Sequence, residues 1–248
     1  MAANKHQLAP KKTGWYHTAT VCMKTTLAIL TLNEVEAVSA VLPKINKEWV
    51  DEIIVVDGGS TDGTIEWCRS RGFRVLVQKK PGYGQGMREL MDVATGDIIM
   101  EFMGDGNCDP STIPLLIEKM KEGYDLVIAS RYKDGAKSYD DTRITRMGNW
   151  GFTAMVNILF GASYTDAMNG YRAYRIDSFK KLNVDEDGLT FPTQGSIQFA
   201  KARFKIAEIP TNEPKRIGGI RKAKNLKTGL ELLRMIIKEF FRPLPKGV

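Results

Sequence analysis

The apolar run Ile98–Met103 (IIMEFM) ends abruptly in Gly104-Asp105-Gly106-Asn107 (GDGN), and this junction decides how the chain is read. An apolar strand that stops at an acidic, glycine-flanked turn delivers a carboxylate to the carboxyl edge of a sheet, where open α/β folds bind ligands. Asp105 and Asn107 set a carboxylate and an amide oxygen two residues apart. That pair suits a hard cation, Mg²⁺ or Mn²⁺, which prefers oxygen ligands and completes its shell with substrate phosphates and water. A loop whose Asp and Asn only shape a turn is the competing reading, and on this stretch alone the two stand even.

On both sides of the junction, apolar runs alternate with helical patterns. Thr25–Leu32, Glu52–Asp57, Arg74–Gln78, Ile98–Met103 and Asp125–Ser130 read as strands. Glu34–Lys47, a segment reaching about Arg71, Met87–Ala94, Ser111–Glu122 and Arg143–Phe160 read as helices. Gly170–Tyr174 and Lys205–Ile209 follow as further strands, and Asn225–Phe241 as a final helix. This rhythm predicts a mostly parallel, doubly wound α/β sheet with helices on both faces. Asp57 then ends the second strand, Asp105 follows the fourth and Glu34 follows the first. Three acids at one edge would line a single crevice, and core packing explains none of them, because an unpaired buried carboxylate is costly. Gly82-Tyr83-Gly84-Gln85-Gly86 precedes a helix and reads equally as a phosphate-approaching loop or a plain flexible lead-in. It fails the dinucleotide fingerprint, and no Walker A sequence occurs.

Composition narrows the function classes. With 248 residues, 43% hydrophobic and 26% charged, the chain has the make-up of a soluble enzyme. No apolar run approaches the ~18 residues needed to cross a bilayer. Three dispersed cysteines without a C-x-x-C pair suggest neither a disulfide framework nor zinc, and both histidines, His6 and His17, lie near the N-terminus. Residues 1–24 read as a flexible leader without the apolar core of a secretory signal, so a cytoplasmic setting is expected. Charge is uneven. Residues 201–248 hold 13 Lys+Arg against 4 Asp+Glu, a net of +9, and the remainder holds 23 against 25, a net of −2. A local anionic partner is implied: phosphates, an anionic membrane or nucleic acid. Nucleic acid ranks last, since no basic-aromatic base-reading motif is present.

Read in order, these motifs resemble the inverting family-2 glycosyltransferases of the GT-A fold, nearest the polyprenyl- and dolichol-phosphate sugar transferases. Leu30-Thr31-Leu32-Asn33-Glu34 resembles their Pro-x-Tyr-Asn-Glu, and Asp57–Thr64 (DGGSTDGT) their Asp-Asp-Gly-Ser-x-Asp-Gly-Thr. Ser130-Arg131-Tyr132 matches a Ser-Arg-Tyr, Asp166 with Gly170–Arg175 (GYRAYR) a later signature, and Arg216–Lys222 (RIGGIRK) an Arg-x-x-Gly-x-Ser-Lys. The resemblance spans about residues 25–224, which reads as one domain, with 225–248 as a basic amphipathic helix and tail.

What the resemblance implies follows residue by residue. Leu30, Leu32, Glu34, Val55 and Asp57 stand where the family cradles the nucleoside of a sugar nucleotide. Gly104 and Asp105 stand in its Asp-x-Asp motif, with Asn107 as a following amide ligand, so Asp105 and Asn107 are the candidate metal ligands. Arg131, Arg216 and Lys222 stand where the lipid-phosphate enzymes hold phosphates. Departures are equally specific. Met103 replaces the first acid of Asp-x-Asp, Gly58 replaces a second Asp, Leu30 and Leu32 replace Pro and Tyr, and Gln194 falls near a glutamate common in the family.

The expectation is a metal-dependent glycosyltransferase carrying a sugar from a nucleotide sugar to a polyprenyl phosphate with inversion. An anionic acceptor oxygen needs no protein base, whereas a glycan hydroxyl would, with Asp166 as first candidate and Asp140 and Asp141 behind it. That hydroxyl-acceptor enzyme of cell-surface polysaccharide assembly, and an inactive sugar-nucleotide-binding module motivated by Met103, are the alternatives. In the last helix, Leu226, Leu230, Leu233, Ile237, Phe240 and Phe241 share a face, with Lys227, Arg234, Lys238 and Arg242 beside it. Such a helix can rest on the inner face of an anionic membrane. The plainer reading, that it packs on the core with a solvated basic edge, is slightly preferred.

Overall fold

The computed structural model describes residues 23–218 and 225–248. Strands β1 (Thr25–Thr31), β2 (Glu52–Asp57), β3 (Arg74–Val77), β4 (Ile98–Met103), β5 (Leu126–Ser130), β6 (Arg172–Arg175) and β7 (Ile206–Pro210) form one sheet among the described residues. Its order is β3-β2-β1-β4-β6-β5-β7. All pairs are parallel except those of β6, which runs antiparallel to both β4 and β5. Every residue of β1 is buried, as expected of a central strand covered on both faces.

Side-chain alternation sends successive residues to opposite faces. Leu27, Ile29, Val55, Met100 and Phe102 meet helices α1 (Val35–Val41), α2 (Thr64–Ser70) and α4 (Thr112–Lys121). Ala28, Leu30, Ile54, Val56 and Ile99 meet α3 (Tyr83–Met91), α5 (Arg143–Phe160), α7 (Phe191–Lys201) and α8 (Asn225–Phe241), while α6 (Ile176–Phe179) follows β6.

Two helices depart from the sequence-based reading. The helix expected over Glu34–Lys47 stops at Val41 and tightens into a 3₁₀ turn, Leu42–Lys44. Pro43 has no N–H to continue the ladder. The helix expected at Met87 begins at Tyr83, inside the glycine-rich stretch. Those glycines permit close packing: a Cβ on Gly84 would lie 2.0 Å from the Glu186 carbonyl oxygen. The first amides of α3 are already used, with Gly84 N donating to Asp187 O at 2.8 Å. Helix α7 has no counterpart in the sequence-based reading. Phe191–Phe199 is buried throughout, polar Gln194, Ser196 and Gln198 included, so no amphipathic stripe marks it.

Candidate active site

The register of β1 with its neighbours builds the site. Thr31 pairs with Asp57 on one side and Leu30 with Met103 on the other, so the turns after β2 and β4 flank the end of β1. Gly58 N donates to Thr31 O and Gly104 N to Leu30 O, both at 2.9 Å. A Cβ on Gly104 would lie 2.5 Å from Thr31 Cγ2, so glycine lets the chain pass this close to the end of β1. Over this edge opens a pocket of about 450 Å³. Leu30, Leu32, Glu34, Val56, Met103, Asp105, Asn107, Arg131, Asp140, Glu213 and Arg216 line it, with Tyr83 from α3, Asn149 from α5 and Thr228 from α8.

Of the three edge acids, Glu34 and Asp105 line the pocket, whereas Asp57 is turned inward and fully buried. Its carboxylate accepts from Thr31 Oγ1 at 2.8 Å, Gly59 N at 2.9 Å, Ser60 N at 2.6 Å and Ser60 Oγ at 2.7 Å. Asn33, at φ 52°, joins the same brace: its N–H donates to Ser60 Oγ and its Oδ1 accepts from Thr61 N. Asp62 accepts from Val35 N and from the N–H and hydroxyl of Thr64. Partial burial alone would raise its carboxyl, but these bonds hold it below the usual range. Much of the Asp57–Thr64 stretch therefore braces two turns. Val55 faces the α1–α2 side of the sheet, and Val56 lines the pocket.

The two arginines of the site among the described residues are already engaged. Arg131 grips Asp166 as a fork, Nε to Oδ2 at 2.7 Å and Nη2 to Oδ1 at 2.9 Å, and its Nη1 lies 3.5 Å from Glu213. Burial opposes the guanidinium charge, yet Asp166 and Glu213 raise the arginine well above its ordinary value. Arg216 places Nη1 2.5 Å from Asp105 Oδ2 and Nη2 3.8 Å from Asp140. Lys222 lies outside the described residues.

Glu213 is a site residue that the motifs do not single out. Burial raises its carboxyl above the ordinary value, with Arg131 and a bond from Ser138 opposing that rise. It also accepts from Asn107 Nδ2 at 3.3 Å, tying the GDGN turn to the segment after β7. Its one signal in the sequence is an acid standing in the basic C-terminal fifth. Gln194 is buried away from the pocket, accepting from Asp185 N and Glu186 N and donating to Glu239.

The donor set around Asp105 is sparse. Among the described residues, no three or more His, Cys, Asp or Glu gather to hold a metal. One carboxylate and one amide fit a cation that takes its remaining oxygens from a diphosphate and water. A thioether at Met103 adds no hard ligand.

The family model for glycosyl transferase family 2 matches residues 26–183. The chain belongs to glycosyl transferase family 2. Within that family it is 32% identical to glycosyltransferase AglJ of Haloferax volcanii over 73% of this chain and 60% of that protein. It is 30% identical to a dolichyl-phosphate hexose transferase of the same organism, over 76% of this chain and 82% of the relative. An undecaprenyl-phosphate mannosyltransferase of Micrococcus luteus is 28% identical over 80% and 89%. The fold matches glucosyl-3-phosphoglycerate synthase from Mycobacterium tuberculosis, solved with Mn²⁺, UDP and phosphoglyceric acid, with a TM-score of 0.72. That match covers 92% of this chain and 81% of the other at 21% identity, and it establishes the GT-A architecture expected for a family-2 glycosyltransferase.

Proposed function

We propose that this family-2 enzyme transfers a sugar from a nucleotide sugar to a polyprenyl phosphate, with inversion at the anomeric carbon. The observation that carries this reading is the state of the candidate base. Asp166 is fully buried and held on both oxygens by Arg131, so it cannot reach a hydroxyl proton. A phosphate oxygen is anionic already and needs no base. Two relatives named for undecaprenyl-phosphate and dolichyl-phosphate transfer support the same acceptor class.

In the reaction, an acceptor phosphate oxygen attacks the anomeric carbon from one face. The bond to the donor's diphosphate breaks on the other, and the nucleoside diphosphate leaves with the electron pair. Leu30, Leu32 and Val56 supply apolar walls for the nucleoside, with Glu34 beside them. Asp105 and Asn107 would hold the divalent cation, which when bound neutralises charge on the diphosphate as a Lewis acid. Arg216 and, from its motif, Lys222 add charge-assisted hydrogen bonds to phosphates, the first as a fork and the second as a point charge. Arg131 shapes the acceptor side from its anchored position.

One observation favours a hydroxyl acceptor: Glu213 lines the pocket with a carboxyl pushed upward by burial. Its oxygens are already taken by Ser138, Asn107 and Arg131, which weakens it as a base. Because polyprenyl phosphates reside in bilayers, the reading places the enzyme at the inner face of a membrane. No helix among the described residues is long and apolar enough to cross one.

Incubation with radiolabelled nucleotide sugar, a divalent cation and polyprenyl phosphate, followed by organic extraction, tests the proposal. Label in a phosphate-linked lipid that disappears with chelator is the expected result. Label confined to a water-soluble glycan overturns it.

A further inference from the structure

Helix α8 is apolar on two separate faces. Its core contact is made by Leu232, Met235 and Ile236, each at most 2% exposed. The face predicted to seat it on the core points outward instead. Leu226, Leu230, Leu233, Ile237, Phe240 and Phe241 are 38–79% exposed. At 3.6 residues per turn these six fall within an arc of roughly 100°. A helix that buries one apolar stripe and exposes another has an unmet partner.

Helix α5 repeats the arrangement. Thr153 and Val156 are buried, while Ile144, Met147, Trp150 and Ile158 are 66–81% exposed on the opposite side. The two helices pack together, with Phe160 and Phe240 edge to face at a centroid separation of 6.4 Å. Both also reach the pocket, α5 through Asn149 and α8 through Thr228. The residues next to these in sequence, Trp150 and Lys227, are exposed.

We propose that the outward faces of α5 and α8 form a docking surface for an anionic lipid bilayer, oriented so that the mouth of the pocket meets the headgroups. Charge selects this occupant. The only ionic residues of α5 are Arg143 and Arg146, and α8 sets Arg234 beside its exposed stripe, while Lys227 pairs with Glu231 at 3.9 Å and Lys238 turns to Asp185 and Glu186 at 3.5 and 3.2 Å. Cations beside an inserted apolar face suit anionic headgroups. A second copy meeting this face across a two-fold axis would bring the same cations together, which disfavours a symmetric dimer. Trp150, whose ring is apolar and whose N–H is polar, matches the interfacial depth such helices adopt. The inference rests on the lipid-phosphate reading only in giving the surface its purpose: a headgroup-level phosphate would enter past Asn149 and Thr228.

The test uses the full chain with vesicles of phosphatidylcholine, with and without phosphatidylglycerol, in flotation. The wild type is expected to float with the anionic vesicles, less so at high salt, with a blue shift of tryptophan emission. The variant Trp150→Ser/Ile237→Ser/Phe241→Ser changes only exposed positions, and it should lose about tenfold or more of that partitioning. Its transfer to a short-chain, water-soluble polyprenyl phosphate without vesicles should stay at the wild-type rate. Equal flotation of variant and wild type, or none by either, overturns the surface. So does a wild-type dimer in analytical ultracentrifugation that the triple substitution dissociates. Vesicle binding that depends on these side chains, in an enzyme that labels no lipid phosphate, upholds the surface and sinks the acceptor reading alone.

Discussion

Arg216 stands 2.5 Å from Asp105 Oδ2, so a guanidinium holds the carboxylate expected to carry the catalytic cation. Ile217 N also donates to the Asp105 carbonyl at 2.9 Å, which seats the 216–217 segment on the GDGN turn. On the proposed reading, a divalent cation and Arg216 would compete for one carboxylate. Arg216→Ala should lower stability by about 1–3 kcal/mol, because Asp105 loses one charged partner in a mostly buried place. Mn²⁺ should then raise the melting temperature of the variant by more than that of the wild type. Equal Mn²⁺ shifts in thermal scans would rule out the competition.

Asp105→Ala removes the single carboxylate of the cation site. Nucleoside diphosphate release should fall by about 10²–10³-fold, the size typical of losing one electrostatic contact to a developing charge. Mn²⁺ titration of the residual activity should show no dependence. Wild-type release by the variant would place the cation elsewhere.

Asp166 is the anchor of Arg131 in the proposed mechanism. Asp166→Ala leaves a buried guanidinium without its fork and should cost about 3–5 kcal/mol in urea unfolding. Asp166→Asn keeps size and one acceptor, so it should retain more stability and leave the pH profile of transfer unchanged in shape. Loss of an ionisation from that profile would instead mark Asp166 as a base.

Glu101 lies in the middle of β4, fully buried, with Tyr83 donating to it. Burial raises its carboxyl from an ordinary 4.5 to about 7, against the opposing pull of Arg172. Below pH 4.5 both folded and unfolded forms carry the proton, and no difference arises. Between about 4.5 and 7 the unfolded chain ionises first, so it binds fewer protons and stability falls as pH rises. The loss approaches on the order of 3 kcal/mol above about pH 7. Glu101→Gln should flatten this slope and be the more stable protein at about pH 8. An unchanged slope would show that Glu101 is ionised throughout.

Glycines give a paired test of packing. Gly84→Ala drives a methyl into the Glu186 carbonyl and Phe191 ring, displacing the segment that brings Gly188 and Leu189 to the pocket. Stability and donor binding should both fall. Gly148 sits within α5, and a methyl added there would meet nothing within 4 Å, so Gly148→Ala should stabilise by about 1 kcal/mol. Thermal scans with and without nucleoside diphosphate read both.

The sequence by itself determined the sheet and its ligand edge. Strand-forming runs such as EIIVVD and IIMEFM are local signals, and an acid next to glycine at the end of each, Asp57 before Gly58 and Asp105 between Gly104 and Gly106, marks where the chain must turn. Arg143–Phe160 was legible to the residue, since Thr142 caps its start and Gly161, at φ 64°, ends it. Tertiary structure alone decided what each acid does. Asp57 and Asp105 both follow apolar runs, yet the first is spent on four hydrogen bonds within two turns while the second faces the pocket. In the sequence Asp166 reads as a candidate base for a hydroxyl acceptor or equally as a turn or cap residue, but folding sets Arg131 across it, from the end of a strand 35 residues earlier in the chain. Helix α8 showed its apolar stripe plainly, but which stripe met the core depended on the neighbours of Leu232 and Ile236. Periodicity is a property of adjacent residues, whereas pairing and facing depend on segments brought together only by folding.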